Sequence, residues 1–389
     1  MDRMDGSITN MKRLLMIFFD ETVAAHLTKD MCSYPYHLGK NHHWSCTYAY
    51  FGKEPLHNAA FEEYCSLEHL GDTEKYTDKK KIAANYLTLH AQNYDFLMFS
   101  HYGGASYSLA RLAKKLNPKI KVYNKMDLGE RGLAHFYDGT FLRRLKVIPE
   151  YWKSAAIDLF TVENRSFYET LRNMRLFRNR IEYLPNPVSL FGVDLSEIKS
   201  PQERENIILT VGRPGDPVKN TELFVEAVQK VDRRQFDDWK FYIVGEPEPH
   251  FREHVEKICC EDPWVAKRLV LCGRVSDRRG LYELYARSKI MCMTSRSESF
   301  CIAVSEAMYF GAYPILTNFG RIVHELTDGG RCGTVVPQED ASALAAAWER
   351  TAERAELPAL SREIQQLARS TFDYELWTAR LAEYLMRLK

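Results

Sequence analysis

The sequence predicts an α/β protein built from two parallel-sheet domains with helices on both faces of each sheet. Short apolar runs rich in β-branched and aromatic residues alternate with helix-period stretches along almost the whole chain, the pattern of buried parallel strands and their crossover helices. A proline-rich break over 185–201 interrupts that alternation. A length of 389 residues accommodates about two domains.

The first apolar run, 14–19, lies between Lys12, Arg13 and Asp20. It is too short to cross a membrane and has no signal-peptide cleavage site, so it reads as a buried strand. Strands are expected next at 96–99, 121–123 and 159–162, with a helix over 105–116. Pro185, Pro187 and Pro201, followed by the polar stretch 202–206, mark a linker before a fresh strand at 207–211. Further strands are expected at 240–244, 270–271, 290–293 and 313–316, separated by helices over 220–231, 280–286 and 302–310. The expected divisions are 1–190, a linker at 191–206, a second domain over 207–368 and a terminal helix at 369–389.

Composition removes several function classes. A net charge of +1 gives no reason to expect nucleic acid, and 45% hydrophobic residues argue against disorder. The nine cysteines are irregularly spaced and form no Cys-x-x-Cys pair, which favours reduced thiols in a cytoplasmic protein and argues against zinc. Nine of the twelve histidines and fifteen of the twenty-two tyrosines precede residue 190. Such side chains stack on sugar rings and bond hydroxyls, although most single aromatics simply fill a core.

Two segments of the second half carry chemistry. In 209–220 a strand ends at Val211, Gly212 allows a tight turn, and a loop delivers Arg213 and Lys219 before a helix near Asn220. Ligands sit at the carboxyl ends of parallel strands, and a guanidinium with an ammonium suits a diphosphate. Taken alone, two solvated cations on a loop are the plainer reading. In 297–308, Glu298 follows a strand and Glu306 stands about two turns along the next helix, which Gly311 ends. The amides of Ser299, Phe300 and Cys301 are expected to form that helix's N-terminus, where the dipole favours an anion. A capping glutamate and an ordinary helical one are the plainer alternative here.

The series Val-Gly-Arg-x(5)-Lys-Asn, Ile243-Val-Gly245, Cys272-Gly-Arg-Val275, Glu-x(7)-Glu, Pro337 and Asp340 resembles, in order, that of family 4 glycosyltransferases. These are retaining enzymes of GT-B fold, two Rossmann-like domains facing a central cleft, with a C-terminal helix crossing back to the first domain. The resemblance is dense over 207–348 and thinner around 157–162 and 185–188. It implies that Gly212, Arg213, Lys219 and the amides of Ser299, Phe300 and Cys301 hold the diphosphate of a nucleotide-sugar donor. Glu306 would hold the ribose, Glu298 the donor sugar, and the backbone at Arg274 and Val275 the base. No Asp-x-Asp pair occurs, so no metal is expected, the fixed cations stabilising the departing diphosphate instead.

The first half departs from the family pattern. Its first strand runs into Phe19-Asp-Glu-Thr22 without the usual glycine loop. The stretch Val122–Leu128 resembles Val-Tyr-x-x-His-Asp-Leu but has Met126 at the histidine's place, leaving Lys125 or Asp127 as substitutes. His101, in Ser100-His-Tyr-Gly-Gly104, is the alternative active-site histidine, with a purely structural role as its equal rival. Basic and aromatic segments at 141–153 and 172–180 suit peripheral contact with the inner face of a membrane, where lipid-linked acceptors lie, or are solvated helical faces. The expectation is a metal-independent retaining transferase acting on a glycan or lipid-linked acceptor, with Glu298, His101 and Asp127 as catalytic residues. The rivals are a catalytically impaired binding or scaffold subunit, or another GT-B enzyme such as an epimerase or phosphorylase.

Overall fold

The computed structural model describes residues 11–27, 30–137, 140, 147–198, 203–275 and 277–388. The chain forms two compact units, Met1–Pro185 together with Tyr374–Lys389, and Asn186–Asp373. The segment expected as a linker at 191–206 belongs to the second unit: Leu190, Val193 and Leu195 pack on its core, and its first strand begins at Glu205.

The first unit holds seven strands: β1 (Arg13–Glu21), β2 (Ser45–Phe51), β3 (Cys65–Gly71), β4 (Phe96–Ser100), β5 (Lys121–Lys125), β6 (Leu159–Val162) and β7 (Ile181–Tyr183). They pair in parallel in the order β3-β2-β1-β4-β5-β6-β7. The second unit holds β8 (Glu205–Val211), β9 (Lys240–Val244), β10 (Leu269–Gly273), β11 (Ser288–Met293), β12 (Tyr313–Thr317) and β13 (Thr334–Val336), parallel in the order β10-β9-β8-β11-β12-β13. Central strands such as β4 and β12 are buried along their whole length, because helices cover both faces.

Four strands escaped the apolar pattern. β3, β7 and β13 are sheet edges. An edge strand has one neighbour and needs neither length nor continuous hydrophobicity, and β7 and β13 are three residues each. β2 is buried from Tyr48 to Phe51, but its two tyrosines carry hydroxyls and kept it from reading as an apolar run.

Each sheet order reverses direction once, between β1 and β4 in the first unit and between β8 and β11 in the second. At that reversal the crossover helices leave toward opposite faces, and the carboxyl ends of the two strands border an open crevice. The residues that follow β1, β4, β8 and β11 are therefore the ones the fold exposes to a ligand.

Two features fix the second crevice. Gly245 has φ +136°, and a Cβ there would stand 2.0 Å from the Gly212 carbonyl oxygen, so the loops after β8 and β9 approach as closely as backbone allows. Behind the sheet, the Arg204 guanidinium donates to Ser361 Oγ at 2.8 Å and to the carbonyls of Tyr285, Ala286, Ser288 and Phe310. These carbonyls lie at the C-terminal ends of helices Arg278–Arg287 and Ile302–Tyr309. One cation thus satisfies both helix ends and sets where their opposite ends emerge.

The terminal helix Tyr374–Met386 belongs to the first unit. The Tyr374 ring stacks on His37 at 4.1 Å, and Trp377 meets Tyr183 edge-on at 5.3 Å. Burial, with the nearby Lys40 charge, lowers the His37 pKa to about 3, so this imidazole is neutral packing material. Just before the helix, Val188 N donates to Phe372 O at 2.9 Å and ties the two ends of the second unit together.

Gly245→Ala is expected to destabilise the protein by about 2 kcal/mol or more, from left-handed strain plus the clash with Gly212. Urea unfolding at equilibrium measures it.

Candidate active site at the sheet switch points

At the second switch point, Gly212 follows β8 and its amide donates to Val244 O at 2.9 Å. Arg213 is exposed and paired with Asp216 at 2.7 Å. The loop closes on Asn220, whose left-handed φ of +49° turns the chain into helix Thr221–Lys230. This turn brings Lys219 back over the strand end. Its Nζ meets Glu298 Oε1 at 2.6 Å, with side-chain exposures of 22% and 11%. Ser295 Oγ donates to the same Glu298 oxygen at 2.6 Å, and Thr294 Oγ1 donates to Lys219 O at 3.1 Å. The loop after β11 is thereby buttoned to the loop after β8. Lys219 has three donors and spends one on Glu298, so two remain for an anion.

Glu306 lies on helix Ile302–Tyr309 and is buried. Its Oε1 pairs with Arg278 at 3.0 Å, and Tyr285 OH donates to Oε2 at 3.2 Å. Burial alone would lower the Arg278 pKa, but the Glu306 charge reverses this and raises it. A carboxylate has about four lone-pair positions, so Glu306 can take hydroxyl donors beside these partners. Arg278 itself begins a helix capped by Asp277, whose side chain accepts from the amides of Arg279 and Gly280.

Helix Ile302–Tyr309 begins at the expected residue. Cys301 is its N-cap with φ +68°, so the amides of Ser299, Phe300 and Cys301 lie ahead of the first turn. Phe300 is buried against Phe372 at 5.7 Å, and this anchor ends the loop before the helix can extend backwards. Arg274 and Val275 directly follow β10, Arg274 exposed and Val275 packed partly on the core.

The first unit's switch point gathers charge of a different kind. The register of β1 against β2 slips between Phe18 and Glu21, a bulge that re-aims the strand end. Lys79, itself buried, donates to the Phe19 carbonyl at 2.6 Å and holds the bulge. Asp20 emerges from it with a 69%-exposed side chain, and its Oδ2 stands 3.4 Å from His101 Nε2. On the other side of the ring, His101 Nδ1 lies 3.7 Å from Asp127 Oδ2. Burial lowers the His101 pKa, but the Asp20 hydrogen bond and the Asp127 charge outweigh it and the net shift is upward. The same hydrogen bond lowers Asp20.

Backbone strain accompanies this cluster. His101 and Asp127 are left-handed, with φ of +60° and +48°. Non-glycine residues hold such angles only where surroundings enforce them, at a cost of about 1 kcal/mol or more each. The His101 amide donates to Lys125 O, and its carbonyl accepts from buried Asn124. Asp127 is held by Glu163, which accepts its amide at 3.0 Å and that of Leu128 at 3.3 Å. Glu163 is also paired with Lys125 at 2.8 Å, both side chains almost wholly enclosed. Burial drives the Glu163 pKa up against the pull of Lys125.

The fate of the expected residues follows from this geometry. Lys219 and Glu298 meet, as do His101 and Asp127. Arg213 and Glu306 engage Asp216 and Arg278 instead of one another. Met126 is buried in the first unit's core and faces no crevice. Lys125 is enclosed by its pair with Glu163 and does not substitute for a histidine. Sequence reasoning missed Asp20, Glu163 and Arg278. Asp20, sitting where a glycine loop was expected, was the one legible signal among them. Of the basic segments, 141–146 lies outside the described residues. In 172–180, half-buried Arg180 is committed to the carbonyls of Ser154, Ile157 and Leu176.

Comparison with known proteins agrees with this architecture. The family described as Glycosyl transferases group 1 matches residues 205–354. Over its full length the chain resembles a glycosyltransferase from Rickettsia africae (TM-score 0.73, 16% identity, 98% of this chain and 100% of that one). It also resembles Anabaena Alr3699/HepE in complex with UDP (TM-score 0.69, 15% identity, 97% and 100%). The fold is GT-B. Among curated proteins it is similar to the Campylobacter jejuni GalNAc-alpha-(1->4)-GalNAc-alpha-(1->3)-diNAcBac-PP-undecaprenol alpha-1,4-N-acetyl-D-galactosaminyltransferase, 27% identical over 205 residues. That match spans 53% of this chain and about half, 51%, of the relative.

Two measurements test the first-unit cluster. Glu163→Gln leaves Lys125 buried without a counter-charge and is expected to cost about 3–5 kcal/mol in urea unfolding, with Lys125→Met on the same chain restoring most of it. The His101 imidazole is expected to titrate above about 6.5 by NMR and to fall in Asp20→Asn. Because its folded pKa is raised, its contribution to stability is complete below about pH 6.5 and disappears as pH rises through the folded value.

Proposed function

We propose that this chain is a glycosyltransferase that moves a sugar from a nucleoside diphosphate-sugar to a hydroxyl of a glycan or lipid-linked acceptor, with retention and without a metal. The observation that carries this reading is the pairing of Lys219 with Glu298 at the β8–β11 switch point. A cation and an acceptor group are held side by side where the fold receives ligands. The match of residues 205–354 to the glycosyltransferase group supports the reaction class. UDP in the similar Anabaena protein makes a UDP-sugar the first donor to test.

In this reading Lys219 and Arg213 hold the diphosphate, the amides around Gly212 and residues 299–301 approach it, Glu298 faces the donor sugar, and Glu306 takes the ribose. The backbone at Arg274 and Val275 lies against the base. Arg213 is tied only by an exposed ion pair, an interaction worth about 0–1 kcal/mol, which a diphosphate displaces readily. As the bond from C1 to the diphosphate breaks, the acceptor oxygen bonds C1 and its proton leaves with the diphosphate. Fixed cations supply the charge stabilisation in place of a metal. In the first unit, His101 with Asp127 takes the catalytic role that Met126 cannot fill.

The relative from Campylobacter jejuni is named for a PP-undecaprenol-linked acceptor, which favours work at a membrane surface. Among the described residues no helix is long and apolar enough to cross a membrane. Peripheral contact on the cytoplasmic face would use Ile148 and Trp152, 50% and 70% exposed, with Lys153 next in the chain and Arg175 lining the same groove.

A nucleoside diphosphate that binds tightly must raise the melting temperature, so UDP at saturation is expected to do so, and no shift with any nucleoside diphosphate defeats the donor site. Lys219→Ala is expected to weaken diphosphate binding by about 1.5–3 kcal/mol in calorimetry. Turnover of the donor should survive excess EDTA. Co-sedimentation with anionic vesicles should fall when Trp152 and Arg175 are replaced by alanine.

A further inference from the structure

The first unit's crevice has a charge that bears on what it can accept. Two carboxylates border it, exposed Asp20 at the end of β1 and half-buried Asp127 after β5, one on each side of the His101 ring. The cations nearby are spent. Lys79 is buried with its amine on the Phe19 carbonyl, and Lys125 is enclosed and neutralised by Glu163. His26, also near Asp20, accepts the Val23 amide on its Nδ1 at 3.3 Å. The His101 ring lies between two carboxylates, 3.4 Å from Asp20 and 3.7 Å from Asp127, and with either charge on the imidazole the cluster of three keeps a net negative charge.

From this geometry we infer that Asp20, His101 and Asp127 form a subsite for the hydroxyl groups of a neutral sugar on the acceptor, so that the enzyme extends an existing glycan and does not prime a lipid phosphate. The inference rests on the proposed transferase reading. A carboxylate accepts from a hydroxyl in a charge-assisted hydrogen bond, stronger than its neutral counterpart. A phosphate brought to the same place would meet two carboxylates, and like charges in contact cost several kcal/mol. The left-handed backbone at His101 and Asp127, together with the bulge that aims Asp20, means the three groups are set before a ligand arrives. Ordering them on binding costs little, so the subsite can discriminate. Asp20 also orients the imidazole, through the bond to its Nε2.

The test compares acceptors on the full chain. A panel of UDP-sugars is offered with p-nitrophenyl glycosides of glucose, galactose and their N-acetyl forms, and separately with farnesyl phosphate. Transfer to at least one glycoside and none to farnesyl phosphate is expected. In Asp20→Asn, an exposed position where asparagine folds, the glycoside KM should rise about 10-fold while UDP affinity holds. Asp20→Lys should weaken the glycoside further. Transfer to farnesyl phosphate, donor hydrolysis with no glycoside accepted, or an unchanged glycoside KM in Asp20→Asn overturns the subsite alone. Failure to bind or hydrolyse any nucleotide donor overturns the transferase reading. The subsite is then judged by the His101 ring signals in NMR, which an accepted glycoside must shift and farnesyl phosphate must not.

Discussion

The reversal of strand order in each parallel sheet is the constraint from which the rest of this protein follows. Parallel strands need crossover helices, and where successive crossovers leave toward opposite faces a crevice opens at the carboxyl ends. In the second unit β8 and β11 border that crevice, and their following loops carry Lys219 and Glu298 to within 2.6 Å of each other. In the first unit β1 and β4 border it, and Asp20 and His101 meet there. Residues far apart in the chain become neighbours because the topology allows only a few loops to reach the opening.

The two crevices are tuned oppositely by what lies behind them. In the second, cations are held by single carboxylates at the surface or just below it, Arg213 by Asp216 and Lys219 by Glu298. Such partners position a cation without using up its donors. In the first, the cations are withdrawn into the structure. Lys79 braces a bulge, Lys125 balances Glu163, and Asp20 faces outward. Both units place left-handed non-glycine residues at these edges: His101 and Asp127 in one, Asn220 and Cys301 in the other. Strain of this kind persists where hydrogen bonds over-determine the backbone, as Glu163 and Asn124 do here.

The buried pair of Lys125 and Glu163 illustrates how a structural contact acquires a functional consequence. By itself, a fully enclosed ion pair returns little stability for the desolvation it demands. Glu163 earns its place through its other bonds, accepting the amides of Asp127 and Leu128 and so fixing the turn that aims Asp127 at His101. Arg204 works similarly in the second unit, gathering the carbonyls at two helix ends whose opposite ends carry Arg278 and border Glu298.

By itself the sequence determined the architecture and which loop residues border the second crevice. Strand and helix periodicity are local, and Gly212, Arg213, Lys219, Glu298 and Glu306 sit at fixed offsets from strand ends. Edge strands β3, β7 and β13 were not legible, since one-sided pairing leaves little compositional trace. Only the tertiary structure decided which charges meet. Arg278 reaches Glu306 across two helices, Glu163 reaches Asp127 across two strands, and Asp20 reaches His101 across a switch point. It also decided that Met126 turns into the core, so that the imidazole at the crevice is His101. Contacts between elements depend on crossover direction and strand order, and those are set by packing, to which no single stretch of sequence is sensitive.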